Sequence, residues 1–210
     1  MDASESDRRD VMSSLHTRYP RRLDGGLQLR PLQAEDESEL AGLFSRIPVD
    51  ERQLFKEDVT RAAVIQGWIR NLDYSNILPL LVLDGTRVVS DASLHRDRRG
   101  WSRHVAEIRV ALDPDYRGRG LARTLVQEFV SLAPEIGVAI LNACVLQPQM
   151  DARDLFEGAG FLHMATFPQH AIDLSGRLHD VLVYSLTVVP PGRMAPESSW
   201  TEEEAEVGGG

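Results

Sequence analysis

The stretch Asp113-Pro-Asp-Tyr-Arg117-Gly-Arg-Gly-Leu-Ala122 constrains this chain more than any other, because it joins the end of an apolar strand to the start of an apolar-periodic helix without a break. Val110, Ala111 and Leu112 end the strand, and Leu121, Leu125, Phe129 and Val130 recur on one helical face. Pro114 stops the strand, Tyr116 can pack under the turn, and Gly118 and Gly120 bring backbone without Cβ atoms to the helix entry. A helix start exposes unpaired N–H groups backed by the positive end of the helix dipole. This is where a pyrophosphate would sit, and Arg117 and Arg119 add positive charge.

Two other phosphate-binding patterns do not fit. A dinucleotide fingerprint needs a third glycine three residues after Gly120, where Arg123 stands, and a P-loop needs Gly-Lys-Ser/Thr to follow. The spacing Arg117-x-x-Gly120-x-Ala122 resembles the acyl-CoA-binding signature of the GNAT N-acetyltransferase superfamily: Arg or Gln, two residues, Gly, one residue, then Gly or Ala. A second likeness is Leu155-Phe-Glu-Gly-Ala-Gly-Phe161, which is similar to the family's Leu-Tyr-Glu-Lys-x-Gly-Phe element. An isolated Arg-Gly-Arg-Gly is more often a solvated loop; the strand before it and the helix after it carry the resemblance.

The order of elements points the same way. Residues 27–31 alternate as a short strand, 36–44 read as a helix ended before Pro48, and 59–72 as a second helix with Val64, Ile65, Trp68 and Ile69 on one face. Residues 80–83, 87–93 and 104–112 read as three strands, with Pro79 at the entry of the first, where no ladder donor is needed. After the helix at 120–132 come a strand at 137–146, a short helix at 151–158, and strands at 163–172 and 180–188. This order resembles the GNAT fold over 27–188. It implies an α+β domain with a central twisted, largely antiparallel mixed sheet flanked by helices. Residues 1–26, with five acidic and five basic side chains, read as a partly disordered N-terminal extension. Residues 189–210, with five glutamates against Arg193, read as an acidic disordered tail.

A chain of 210 residues can bury one sizeable core. No apolar run approaches the ~20 residues of a membrane span, and the first residues lack the basic start and apolar stretch of a secretory signal. A cytoplasmic protein without membrane partners is the default expectation. The formal charge of −9 argues against nucleic acid and for cationic amines as partners. The single cysteine, Cys144, lies in an apolar run and reads as a packed strand residue. The histidines form no helical His-x-x-x-His pair, so no metal is expected. The arginine-rich loop 95–103 reads as a solvated hairpin tip, with a grip on an anionic ligand as its alternative.

Acyl transfer from a thioester to an amine requires that the donor be held, that the ammonium lose a proton, and that the departing thiolate be accommodated. By resemblance, backbone groups of Val110, Ala111 and Leu112 would pair with the pantetheine arm of acetyl-CoA. Arg117, Gly118, Arg119, Gly120, Leu121 and Ala122 would cradle its pyrophosphate, and Gln149 stands in place of an asparagine that contacts the cofactor. Glu107 is the candidate base, drawing the proton through water; its alternative is a solvated position paired with Arg109. Where many members carry a tyrosine to protonate the thiolate, this chain has Phe156, which cannot donate. Tyr184 is the candidate replacement, against the plainer reading of a strand aromatic. The implied activity is direct transfer of acetyl to a primary amine in a ternary complex, with a homodimer allowed. The rival is a non-catalytic acyl-CoA-binding regulator, kept open by Phe156. The acceptor pocket of this fold comes from the first two helices and the last hairpin, here Phe55, Trp68, His170 and Arg177.

Overall fold

The computed structural model describes residue 13 and residues 15–97 and 100–189. The tail from 190, most of the segment before 15 and the loop positions 98–99 lie outside the described residues, and with them the expectations of disorder at both ends.

Among the described residues, eight strands form one sheet: β1 (Arg21–Arg22), β2 (Gln28–Pro31), β3 (Ile77–Asp84), β4 (Arg87–Arg96), β5 (Val105–Leu112), β6 (Ile140–Leu146), β7 (Leu162–Ile172) and β8 (Leu178–Thr187). Their order is β1-β2-β3-β4-β5-β6-β8-β7. Only the β5–β6 join is parallel. Parallel neighbours cannot be joined by a tight turn, so the chain crosses over through a helix, α4 (Leu121–Leu132). The other helices are α1 (Glu37–Arg46), the four-residue α2 (Val49–Arg52), α3 (Ala62–Arg70) and α5 (Met150–Gly158).

Successive strand side chains point to opposite faces, and both faces of the central strands are covered. Leu80, Val82, Ala92, Leu94 and Ile108 pack under the α4 stripe of Leu121, Leu125, Val126 and Phe129. Leu81, Leu83, Val88 and Ala111 face the other way, against Leu40, Leu43 and Phe44 of α1 and Ile65 of α3. Each fully buried leucine contributes about 1.5–3 kcal/mol.

Three features differ from the sequence reading. A third helical turn, α2, follows Pro48, too short to leave a periodic signal. Pro79 lies inside β3 and not at its entry; its carbonyl accepts the Leu32 N–H at 3.0 Å. In a strand the N–H and C=O of one residue face the same neighbour, so the missing donor falls just past the end of β2. Packing also begins before residue 27. Leu15 and Tyr19 are buried with the main core, and the Tyr19 hydroxyl donates to Glu128 Oε1 at 2.8 Å. No helix among the described residues is long and apolar enough to cross a membrane.

Candidate active site

The α1 and α3 side of the sheet carries a cleft of about 1200 Å³ whose floor changes character along β4 and β5. The antiparallel register sets Asp91 opposite Ala111, Ser93 opposite Arg109 and His95 opposite Glu107. Paired residues share a face, so a row of polar side chains continues the apolar patch of Leu81, Val88 and Ala111. Phe44, Phe55, Trp68 and Leu72 form the apolar wall above it.

Glu107 is the hub of this row. Lys56 Nζ lies 2.6 Å from its Oε1, and Arg109 Nε donates to the same oxygen at 3.0 Å. Arg109 also reaches Glu57 at 3.5 Å, and Glu57 accepts from Trp68 Nε1 at 2.8 Å. Burial pushes the Glu107 carboxyl up, but Lys56 and Arg109 outweigh it and hold the group below its ordinary value. His95 Nε2 lies 2.9 Å from Ser93 Oγ. Burial, helped by Arg109, pushes the imidazole down to about 4, so it is neutral at pH 7.

Asp91 is different. Its Oδ1 is sealed from solvent without a hydrogen-bond partner, and burial alone pushes the carboxyl up to about 7. The sequence held a signal for it: Asp91, Ser93 and His95 alternate with Ala92 and Leu94, as Glu107 and Arg109 alternate with Ile108. Lys56 and Glu51 lay in a segment with no such period.

The donor side begins where the sheet opens. β5 and β6 pair only at Val105, Ala106 and Glu107 with Ile140, Leu141 and Asn142. Beyond that point Ile108–Leu112 pair with β4 but not with β6, which leaves one backbone edge toward the cleft. Val110, Ala111 and Leu112 line it there, and the chain then enters the turn. Gly118 and Gly120 take φ of 70° and 77°, left-handed values that favour glycine. A Cβ at either would meet nothing within 4 Å and would stand in open space above the turn. Gly118, Gly120, Leu121 and Ala122 line the cleft at the N-terminus of α4.

The arginines sort differently from expectation. Arg117 lines the cleft but makes a two-point ion pair with Glu51 of α2. Arg119 does not line it. Its guanidinium stacks on the Tyr116 ring at 4.7 Å and donates to the Asp115 carbonyl at 2.8 Å, so its expected role as a phosphate contact is not supported. Arg123, in the first turn of α4, lines the cleft instead. Gln149 stands at the N-cap position of α5 and lines the cleft; its Oε1 does not cap the helix but accepts the Leu146 N–H at 2.8 Å.

Tyr184 is not brought to this site. It sits opposite Ala143 on the core face of β8, 1% exposed, and donates its hydroxyl to Glu157 at 2.9 Å. Burial holds its phenol above the ordinary value. Phe156 is near the cleft and packs edge-on against Phe161. Cys144 faces the cleft from β6, its thiol pushed up by burial and by Glu107, which suits a bystander and not a nucleophile. Phe55 and Trp68 line the cleft as expected; His170 and Arg177 do not. Among the described residues no cluster of three or more His, Cys, Asp or Glu is arranged to hold a metal.

A strand edge opening onto a left-handed glycine turn is one part of a larger match. The profile of the acetyltransferase (GNAT) family fits residues 41–161. The chain belongs to this family. Among curated relatives, YwnH of Bacillus subtilis, a candidate phosphinothricin acetyltransferase, is 31% identical over 79 residues, covering 38% of this chain and 48% of that protein. The L-amino acid N-acyltransferase MnaT of Escherichia coli is 29% identical over 93 residues, covering 43% of this chain and 54% of that one. The matched region thus spans about half the length of each. The structure of YncA from Salmonella typhimurium, solved with its cofactor acetyl-CoA, superposes with a TM-score of 0.66 at 19% identity, over 82% of this chain and 99% of that one. This GNAT chain has the features an acyl-CoA needs: a free strand edge, room above two Cβ-less positions, and unpaired N–H groups at a helix start.

Proposed function

We propose that the protein transfers the acetyl group of acetyl-CoA to a primary amine by direct attack in a ternary complex. The observation that carries this reading is the parting of β5 from β6 after Glu107, with the unpaired edge of 108–112 running straight into the glycine turn. When bound, acetyl-CoA supplies an activated acyl group on a thiol that is a good leaving group. Val110, Ala111 and Leu112 would hold the donor's arm as an added strand, and Arg117, Gly118, Gly120, Leu121, Ala122, Arg123 and Gln149 its phosphate end. Glu107 stands at the mouth of the opening and is kept ionised by Lys56 and Arg109, ready to take the ammonium proton through water. Phe156 and Tyr184 offer no acid at the cleft, so the thiol is proposed to leave as thiolate and take its proton from solvent. The names of the two curated relatives favour acceptors of the amino-acid class, and Lys56 with Arg109 would supply the cations for a carboxylate.

A thiol-release assay over amino acids, polyamines, aminoglycosides and lysine peptides tests the reading. Turnover with at least one amine class is the expected result. Tight CoA binding with no release across that panel would favour the regulator that Phe156 keeps open.

A further inference from the structure

Acyl transfer with Glu107 as base leaves Asp91 without a task. Its position on the cleft floor, between Leu81 on β3 and Ala111 on β5, is flanked by buried apolar residues. Packing alone would favour an apolar side chain there, since a buried carboxyl oxygen without a partner is destabilising. Three glutamates of the floor and wall are matched: Glu51 by Arg117, Glu57 by Arg109 and Trp68, Glu107 by Lys56 and Arg109. His95, on the same strand and face, is neutral and engaged with Ser93. Asp91 meets none of these groups.

Charge is ordered along the floor. Glu107, Arg109 and the Asp91–Ala111 pair follow one another on one face at steps of two residues, about 6.6 Å each. Arg109 and Asp91 are diagonal neighbours, about 7–8 Å apart at Cα, and are not paired with each other. The sequence of signs is negative, positive, negative. Its complement is a ligand with a cation, an anion and a second cation.

We propose that Asp91 sets acceptor specificity by docking a second cationic group, and that the acceptors are basic amino acids of the lysine and ornithine type. One amine is presented toward Glu107, the carboxylate lies against Arg109 and Lys56, and the remote ammonium pairs with Asp91. The ammonium meets the Asp91 carboxylate from the cleft that this residue lines, and keeps it ionised. This assignment deepens the acyl-transfer reading and rests on it for the identity of the reacting end.

The test compares wild type with Asp91→Asn, which is nearly isosteric, by thiol release with lysine and ornithine against leucine and methionine. The expected result is that wild type prefers the basic pair. D91N should raise KM for lysine and ornithine about 10- to 100-fold, with kcat nearly unchanged and KM for leucine unaltered. Equal changes for lysine and leucine, or a wild type that favours leucine, would overturn the proposal. Melting curves confirm that the variant is folded. If no amine is turned over, the acyl-transfer reading fails separately, and lysine titrated calorimetrically into the CoA-loaded protein still reads Asp91. Binding lost in D91N supports the assignment; a wild type that does not bind lysine overturns it.

Discussion

Glu51 and Arg117 meet through two parallel bonds, Nη1 to Oε1 at 2.9 Å and Nη2 to Oε2 at 2.6 Å. The arginine of the glycine turn is therefore tied to α2, and on the proposed reading an incoming pyrophosphate would compete with Glu51 for it. Glu51→Gln is expected to tighten CoA binding about 2- to 5-fold at low salt, while Arg117→Ala weakens it. Both effects should shrink as ionic strength rises. Calorimetric titration of CoA at two salt concentrations measures this; unchanged affinity in E51Q at low salt would mean that Arg117 serves α2 and not the donor.

Gly120→Val should abolish CoA binding while the protein still folds. The added atoms meet no neighbour within 4 Å, so the cost comes from forcing a β-branched residue to φ 77° and from filling the room above the turn. Arg119→Ala, by contrast, should leave CoA affinity near wild type, because that guanidinium is stacked on Tyr116. Arg123→Ala should weaken binding. A larger loss in R119A than in R123A would reverse this sorting of the turn's arginines.

Glu107→Gln should lower kcat by about 10²–10⁴-fold at neutral pH, with little change in CoA affinity and partial recovery as pH approaches the pKa of the free amine. Lys56→Met should move the acidic limb of kcat to higher pH, because without the ammonium the burial of Glu107 is less opposed. A pH–rate profile for each variant reads both effects. Wild-type turnover by E107Q across the range would remove Glu107 from proton transfer.

Asp91→Asn should make the ligand-free protein more stable, and increasingly so as pH rises. The folded-state carboxyl titrates at about 7, above the ~3.9 of an unfolded chain. Its contribution is therefore fully present below about pH 4 and is lost as pH rises through 7. The amide has no proton to lose. The Tm gap between D91N and wild type should be small at pH 4 and reach about 3–10 °C at pH 8, for a penalty of about 1–3 kcal/mol. Thermal melts at the two pH values decide it, and a gap that stays constant would place the Asp91 titration outside the stability balance.

The strands, the crossover helix and the glycine turn were legible because each rests on local chemistry: period-two or period-3.6 apolar residues, a proline stop, and glycines at positive φ. Glu107 was legible by the same alternation. What the sequence could not reveal was which partner each charge would find. Glu51 and Arg117 are far apart in the chain, as are Lys56 and Glu107, and only the seating of α2 and its following loop over the cleft brings them together. Arg119 misled because two arginines two residues apart look equivalent until one ring, Tyr116, captures one of them. Tyr184 misled because strand position alone does not say which face of the sheet will meet the cleft; its pairing with Ala143 turns it into the core.

β5 carries Glu107 and Arg109 on one face, Ile108 on the other, and leads directly into the turn at Gly118. A shift of one residue in this strand would exchange the faces, sending both charged groups into the core and the apolar ones into the cleft. Outside the positions named above, the segment from 107 to 120 should accordingly accept a conservative change of side chain more readily than any insertion or deletion. In a library of variants its length would be inherited more strictly than its composition.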